Sequence, residues 1–162
     1  IFEEDCTNGK KYDIVFSYGV IEHFENPADI ISIFSSFLNP GGIMITLVPN
    51  LNGCMGWLSR RLVPDIYKMH RVISKQQLKG YHESNALKDL RTNYAGTFTL
   101  AVLPLVRSGH WLFREGSLQR KIAVSGFATF DKLASGIFKL LKIDIPTRSF
   151  SPYIISIAKK NI

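Results

Sequence analysis

Residues 13–24 read DIVFSYGVIEHF, and this stretch indicates the fold more clearly than any other part of the chain. The apolar, β-prone run from Tyr12 to Tyr18 predicts a short buried strand, which ends at Gly19. The next residues, Val20 to His23, then form a loop beyond the carboxyl end of that strand. In a parallel sheet this is the position at which ligands bind.

A predicted helix and a second predicted strand follow this loop. Asn26-Pro27 suits the start of a helix, because Asn caps amino ends well and Pro fits the first turn. Asn39-Pro40-Gly41-Gly42 predicts a turn, and Ile43–Val48 is nearly all apolar, as central parallel strands are. Pro49-Asn50 ends this strand. One helix face is predicted to carry the apolar residues Ile30, Ile31, Phe34, Phe37 and Leu38.

Strand, helix and strand in this order predict a crossover unit of a parallel sheet, and therefore an α/β fold. Further elements are predicted from capping signals and apolar periodicity. They are a short helix at 57–62 interrupted by Pro64, a helix after the capping box Ser74–Gln77, a helical stretch Ala86–Tyr94, a strand Phe98–Val106, an amphipathic helix within 118–142 and a last strand Tyr153–Ala158.

The composition is that of an ordinary globular domain. The chain has 162 residues, of which 46% are hydrophobic and 20% charged, and this argues against disorder. The longest nearly unbroken apolar run, Phe98–Val106, is far shorter than the roughly 20 residues that cross a bilayer. Cys6 and Cys54 give neither a disulfide framework nor metal-ligand spacing, so no metal site is predicted and a reducing, cytoplasmic setting is expected.

The net charge of +7 is unevenly distributed. Residues 1–26 hold six acids and two bases, whereas the remainder holds eighteen bases and seven acids, a net of +11. A basic region attracts anions such as phosphate-bearing small molecules, nucleic acid or an acidic membrane surface, although a solvated basic surface is equally compatible. The basic amphipathic stretch 118–142 suits either peripheral membrane contact or a lid packed on the core. Nucleic acid is disfavoured, because no aromatic-rich RNA motif is present.

The ordered motifs resemble one enzyme family over about 40 residues. The strand at Asp13–Tyr18 runs into Glu22-His23, Leu38-Asn39-Pro40-Gly41-Gly42 follows the helix, and Pro49-Asn50 ends the next strand. This set closely resembles class I S-adenosylmethionine-dependent methyltransferases of the small-molecule type, in their C-terminal portion. Turn residues of an unrelated α/β protein are the alternative.

The resemblance implies a Rossmann-like methyltransferase sheet that is incomplete in its N-terminal half and has a helical insertion before the last strand. Residues 1–106 and 151–162 would form the methyltransferase part, and 107–150 the insertion or lid. Phe98–Val106 and Tyr153–Ala158 would form an antiparallel pair that closes the sheet.

The resemblance also implies S-adenosyl-L-methionine as cofactor. Asp5 would bond the adenine amine and Cys6 would make a backbone contact, although Asp5 could equally be a solvated acid in a loop. Tyr18, Gly19 and Val20 would lie at the methionine portion, where a glycine permits close backbone approach. Gly19 could also simply end the strand.

Candidate catalytic residues are two histidines and one acid. His23 is the first candidate for a general base, because histidine titrates near neutral pH. A base is needed only if the acceptor must lose a proton. Glu22 would orient His23 or contact substrate, and His70, twenty residues after Asn50, also fits one subgroup of the family. A structural role for the Glu22-His23 pair, as a cap of the following helix, is the alternative.

The family's glycine-rich cofactor loop and its ribose-binding acid do not occur in the 162 residues. We therefore expect that the chain is a C-terminal portion whose sheet lacks two central strands and exposes an aggregation-prone edge. Alone it should be inactive and should not bind cofactor with normal affinity. The acceptor is predicted to be a small anionic or glycan-like molecule, such as a nucleotide sugar or lipid-linked saccharide. A non-catalytic or membrane-surface interaction domain on a degenerate methyltransferase scaffold is the alternative.

Overall fold

A computed structural model of the chain describes residues 9–97, 99, 118–141 and 146–162. It contains one four-stranded sheet in the order β1-β2-β4-β3, together with five α-helices and a 3₁₀ helix in the described part. The strands are β1 (Tyr12–Tyr18), β2 (Leu38–Pro49), β3 (Leu87–Ala95) and β4 (Tyr153–Lys160). The helices are the 3₁₀ helix Ile21–His23, α1 (Pro27–Ser36), α2 (Cys54–Leu62), α3 (Pro64–Lys68), α4 (Lys75–Glu83) and α5 (Leu118–Leu140).

The chain divides into two compact units. The described residues of the first unit are 9–48, 74–93 and 155–162, which include most of the sheet with α1 and α4. The second unit takes 49–73 and the described residues between 94 and 154, which include α2, α3 and α5. The buried apolar core of the first unit consists of Ile21, Ile30, Ile31, Leu38, Met44, Val48, Leu78, Leu87 and Ala158.

β1 and β2 are parallel, which confirms the predicted strand–helix–strand unit. The expectation that β1 is buried is wrong, because β1 lies at one end of the strand order and only Ser17 of its residues is buried. Tyr12 pairs with Leu38 but Ile14 pairs with Ile43, so two steps along β1 correspond to five along β2. The predicted Asn39–Gly42 turn is thus an irregularity within β2, which begins at Leu38 and not at Ile43. The expectation that Leu38 lies on the helix face is wrong, because α1 ends at Ser36 and Leu38 is buried in the sheet.

α1 and α4 begin where the capping signals predict. Asn26 is the residue before α1 and Pro27 is its first residue, although the Asn26 side chain makes no capping hydrogen bond. At α4 the capping box is complete: the Gln77 amide donates to Ser74 Oγ at 3.2 Å, and the Ser74 amide donates to Gln77 Oε1 at 2.9 Å. These reciprocal bonds satisfy two amides that a helix end leaves without partners.

The predicted helical stretch Ala86–Tyr94 is wrong, because this segment forms β3. Ala86 has a φ of +56°, a left-handed conformation that ends the turn after α4 and is incompatible with a continuing helix. β3 is held by distant partners, as Thr92 Oγ1 lies 2.9 Å from Ser156 Oγ of β4. Pairing across the sheet therefore outweighs the local helix preference of this segment.

The other predicted elements have mixed outcomes. The strand at Tyr153–Ala158 is confirmed as β4, and the amphipathic helix is confirmed as α5. Apart from Thr99, the predicted strand Phe98–Val106 lies outside the described residues. The two neighbours of β4 in the sheet are β2 and β3. None of the helices in the described ranges is long and apolar enough to cross a membrane.

The second unit has its own small core. The predicted short helix is α2, which begins earlier than expected at Cys54, and α3 begins at Pro64, where the interruption is predicted. Met55 and Val63 are the buried residues of the small core. The partly buried apolar residues around them are Cys54, Leu58, Leu62, Ile66, Ala123, Val124 and Phe127.

Candidate functional site

The carboxyl end of β1 carries a backbone conformation that favours glycine. Gly19 has a φ of +66°, in the left-handed region, and its amide donates to Leu47 O of β2 at 3.0 Å. A Cβ at Gly19 would lie 3.6 Å from Glu22 Oε1. The strand therefore ends in a turn whose backbone is open, with Tyr18 exposed before it and Val20 half-buried after it.

The 3₁₀ helix after this turn places an acid and a base on consecutive residues. The His23 amide donates to Val20 O at 3.1 Å, and the Phe24 amide donates to Ile21 O at 3.3 Å. Glu22 is buried, with 2% of its surface exposed, whereas His23 is exposed. The tight turn thus presents an imidazole to solvent directly beside a carboxylate in the interior.

A buried histidine of α4 contacts β2, the strand that pairs with β1. His82 of α4 is completely buried, and its Nδ1–H donates to Leu78 O at 2.8 Å because a carbonyl can only accept. Its Nε2 lies 2.9 Å from Thr46 Oγ1 of β2 and accepts from that hydroxyl. Burial lowers the pKa of His82, while the bond to Leu78 and the nearby Asp89 charge raise it by less.

Ser17 is the β1 residue that pairs in register with Thr46. It is 3% exposed, and its Oγ has no hydrogen-bond partner among the described residues. No motif in the sequence drew attention to Ser17 or His82. The only available signal for His82 was its spacing of four residues from Leu78, which places both on the apolar face of α4.

In the second unit, Asn50 joins two distant segments. Its amide donates to Pro152 O at 2.8 Å, and its Nδ2 donates to Arg148 O and Ser151 O, each at 2.8 Å. Asn50 is completely buried, and its Oδ1 has no hydrogen-bond partner among the described residues. The sequence identified Asn50 only as the end of a strand, yet its side chain holds the turn before β4.

The predicted site residues belong to different units of the chain or lie outside the described residues. His70 follows α3 in the second unit, is half-buried, and its Nδ1–H donates to Ile66 O at 2.7 Å. Glu22 and His23 belong to the first unit, as do Tyr18, Gly19 and Val20. Asp5 and Cys6 lie outside the described residues. The catalytic and cofactor roles of all eight residues therefore stay predictions.

Comparisons with known proteins identify the family of the chain. A family model described as a methyltransferase domain matches residues 2–128. The chain belongs to the class I S-adenosylmethionine-dependent methyltransferase family. A search of curated protein sequences finds no match.

Solved structures of methyltransferases share the fold at low identity. A methyltransferase of Haloferax volcanii in complex with the Trm112 activator has a TM-score of 0.54 and 11% identity, over 97% of this chain and 57% of that one. An S-adenosylmethionine-dependent methyltransferase of Thermotoga maritima has a TM-score of 0.55 and 10% identity, over 94% of this chain and 58% of that one. A methyltransferase of Bacillus halodurans has a TM-score of 0.55 and 16% identity, over 99% of this chain and 68% of that one.

These likenesses confirm the predicted α/β, Rossmann-like methyltransferase fold. The chain spans between 57% and 68% of the length of these three methyltransferases. The cofactor of the family is S-adenosyl-L-methionine, as the sequence predicts.

Proposed function

We propose that the full-length protein transfers a methyl group from S-adenosylmethionine to a small-molecule acceptor. The observation that carries this proposal is the left-handed Gly19 at the carboxyl end of β1, in a parallel β1–α1–β2 unit of a methyltransferase-family chain. Ligands of parallel α/β sheets bind beyond this end of the strands. The sulfonium cofactor supplies an electrophilic methyl group.

The residues of the β1 end fit the methionine portion of the cofactor. Gly19 has no Cβ, so its backbone is the proposed contact of the methionine portion, with Tyr18 and Val20 on either side. Asp5 and Cys6 are the proposed contacts of the adenine. The sequence contains no glycine-rich loop, so the fit is partial, and we expect the chain of residues 1–162 alone to bind cofactor weakly and to be inactive.

His23 is the proposed general base. Its exposure allows it to meet an acceptor and to pass a proton on to solvent, while the buried Glu22 is a positioning residue for the turn that carries it. His70 is the second candidate. Much of the rate would come from positioning the acceptor in line with the methyl group.

An anionic or glycan-like acceptor is proposed from the charge of the chain. Residues after 26 carry a net charge of +11, which attracts phosphate or carboxylate groups. A non-catalytic role on the same scaffold is the second candidate. Binding of S-adenosylhomocysteine by the full-length protein separates the two, because a degenerate scaffold has no measurable affinity for it.

Calorimetric titration of the full-length protein with S-adenosylhomocysteine tests the cofactor site. Gly41 offers a matched control for Gly19, because its φ is +77° and a Cβ there would lie 3.8 Å from its nearest neighbour, but it sits at the amino end of β2. Both Ala variants carry the same backbone strain. We expect Gly19→Ala to weaken binding by about tenfold or more, and Gly41→Ala to leave it unchanged. Equal effects would overturn the assignment.

Methyl-transfer assays of the full-length protein test the proposed base. His23→Gln should lower the rate by about 100-fold, while the affinity for S-adenosylhomocysteine stays the same. His70→Gln is the comparison. If His70→Gln lowers the rate and His23→Gln does not, the base is His70.

A further inference from the structure

α5 carries more apolar surface than its packing uses. The residues of α5 that are half-buried include Ala123, Phe127, Ala134 and Phe138, which recur at helical spacing, and the first two pack against the core of the second unit. A second apolar row is directed to solvent, with exposures between 55% and 82%. This row consists of Leu118, Ile122, Phe130, Leu133, Ile137 and Leu140.

α2 contributes one more exposed apolar residue, Trp57, next to α5. Trp57 is 60% exposed, and the Arg61 guanidinium carbon lies 5.2 Å from the centre of its ring. A pocket of about 440 Å³ separates α2 from α5, and Met55, Leu58 and Phe127 are among the apolar side chains that line it. We call Trp57 and the exposed row of α5 the α2–α5 surface. Monomeric soluble proteins rarely expose large contiguous apolar patches without a use for them.

The charges beside the α2–α5 surface are mostly positive. Residues 54–72 contain four bases and one acid, and residues 118–141 also contain four bases and one acid. Lys121 and Lys132 are exposed and directly precede Ile122 and Leu133, so a basic row runs beside the apolar row. Long basic side chains in this position can extend to lipid headgroups while the apolar row enters the acyl boundary.

We propose that the α2–α5 surface docks on an anionic lipid bilayer, with α5 lying in the interface. Exposed aliphatic residues, a tryptophan and flanking lysines form the pattern of an interfacial helix, and each base adds attraction to anionic headgroups. A second copy of the chain is a poorer occupant, because it would bring two positively charged surfaces together. The proposal is independent of methyl transfer.

Vesicle sedimentation tests the docking. The protein should bind vesicles of phosphatidylcholine with phosphatidylglycerol, and binding should weaken with salt and be much weaker on phosphatidylcholine alone. Ile122→Gln with Ile137→Gln should lower the partition coefficient by about tenfold or more. The matched control is Ile14→Gln with Phe16→Gln on β1, where both side chains are 62% exposed and no effect on vesicle binding is expected.

A second pair of variants keeps the test valid if the glutamine pair unfolds. Lys121→Glu with Lys132→Glu changes only exposed charges, and should abolish the preference for phosphatidylglycerol. Absence of binding to anionic vesicles overturns the proposal, as does binding that neither α5 pair reduces. If the protein is instead a dimer that Ile122→Gln with Ile137→Gln dissociates, and vesicles are not bound, the surface is an interface between copies.

Discussion

The hydroxyl of Thr46 and the imidazole of His82 lie 2.9 Å apart in the interior of the first unit. Because His82 Nδ1–H donates to Leu78 O, Nε2 must keep its lone pair to accept from Thr46. A protonated His82 would lose this acceptor and would also place a charge in the interior. The lowered pKa of His82 follows from its burial, and the hydrogen-bond pattern supports the same neutral form.

This pair predicts how stability depends on pH. The unfolded chain protonates His82 near the ordinary value of 6.5, whereas the folded chain resists protonation. The unfolded state therefore binds more protons in this window, so the contribution is fully present above 6.5 and is lost as pH falls toward the lowered pKa. Urea unfolding between about pH 8 and pH 5 measures the loss. His82→Gln should flatten the dependence.

Replacing Asn50 by Asp should lower the free energy of unfolding strongly, although the side chain changes little in size. Asn50→Asp removes the amide that donates to Arg148 O and Ser151 O, and it places a carboxylate against two carbonyl oxygens. We expect a loss of about 2–4 kcal/mol in the free energy of unfolding at neutral pH. Denaturant unfolding measures it, with Asn50→Ala as the control that removes the bonds without adding charge. A loss no larger than that of Asn50→Ala would show that repulsion plays no part.

Local signals predicted the elements that short-range interactions determine. The capping box of Ser74 and Gln77 specifies the start of α4 with two bonds inside four residues, and the apolar runs specify β1 and β2. The segment of β3 is not the predicted helix, because the contact of its Thr92 with Ser156 of β4 depends on a distant part of the chain.

In the candidate site, too, the sequence predicts the local features and not those that depend on packing. A glycine directly after an apolar strand predicts the turn at Gly19. The sequence does not distinguish the burial of Glu22 from the exposure of His23, which the packing of the 3₁₀ helix decides. Nor does it indicate the bonds of Asn50, whose partners are 98 and 101 residues away along the chain.

Two helix glycines predict opposite responses to alanine. A Cβ at Gly56 in α2 would lie 1.8 Å from Leu51 O, a backbone atom that can move only with the chain, whereas a Cβ at Gly80 in α4 meets nothing within 4 Å. Gly56→Ala should therefore destabilise the protein by about 2 kcal/mol or more. Gly80→Ala should stabilise it by about 0.5–1 kcal/mol, because alanine favours the helix and restricts the unfolded chain. Thermal unfolding measures both, and a neutral Gly56→Ala would contradict the packing.

We expect copies of the protein to associate through the exposed face of β1. It lies at one end of the strand order, and Tyr12, Ile14, Phe16 and Tyr18 on one face are between 46% and 62% exposed. Phe16→Lys adds a charge to this edge strand, so it should lower concentration-dependent association in sedimentation velocity and change the free energy of unfolding by no more than about 0.5 kcal/mol. Leu90→Lys is the control, because β3 lies at the other end of the order and Leu90 is its only large hydrophobic residue that is mostly exposed. If the two variants lower association equally, general charge repulsion is responsible and not the apolar face of β1.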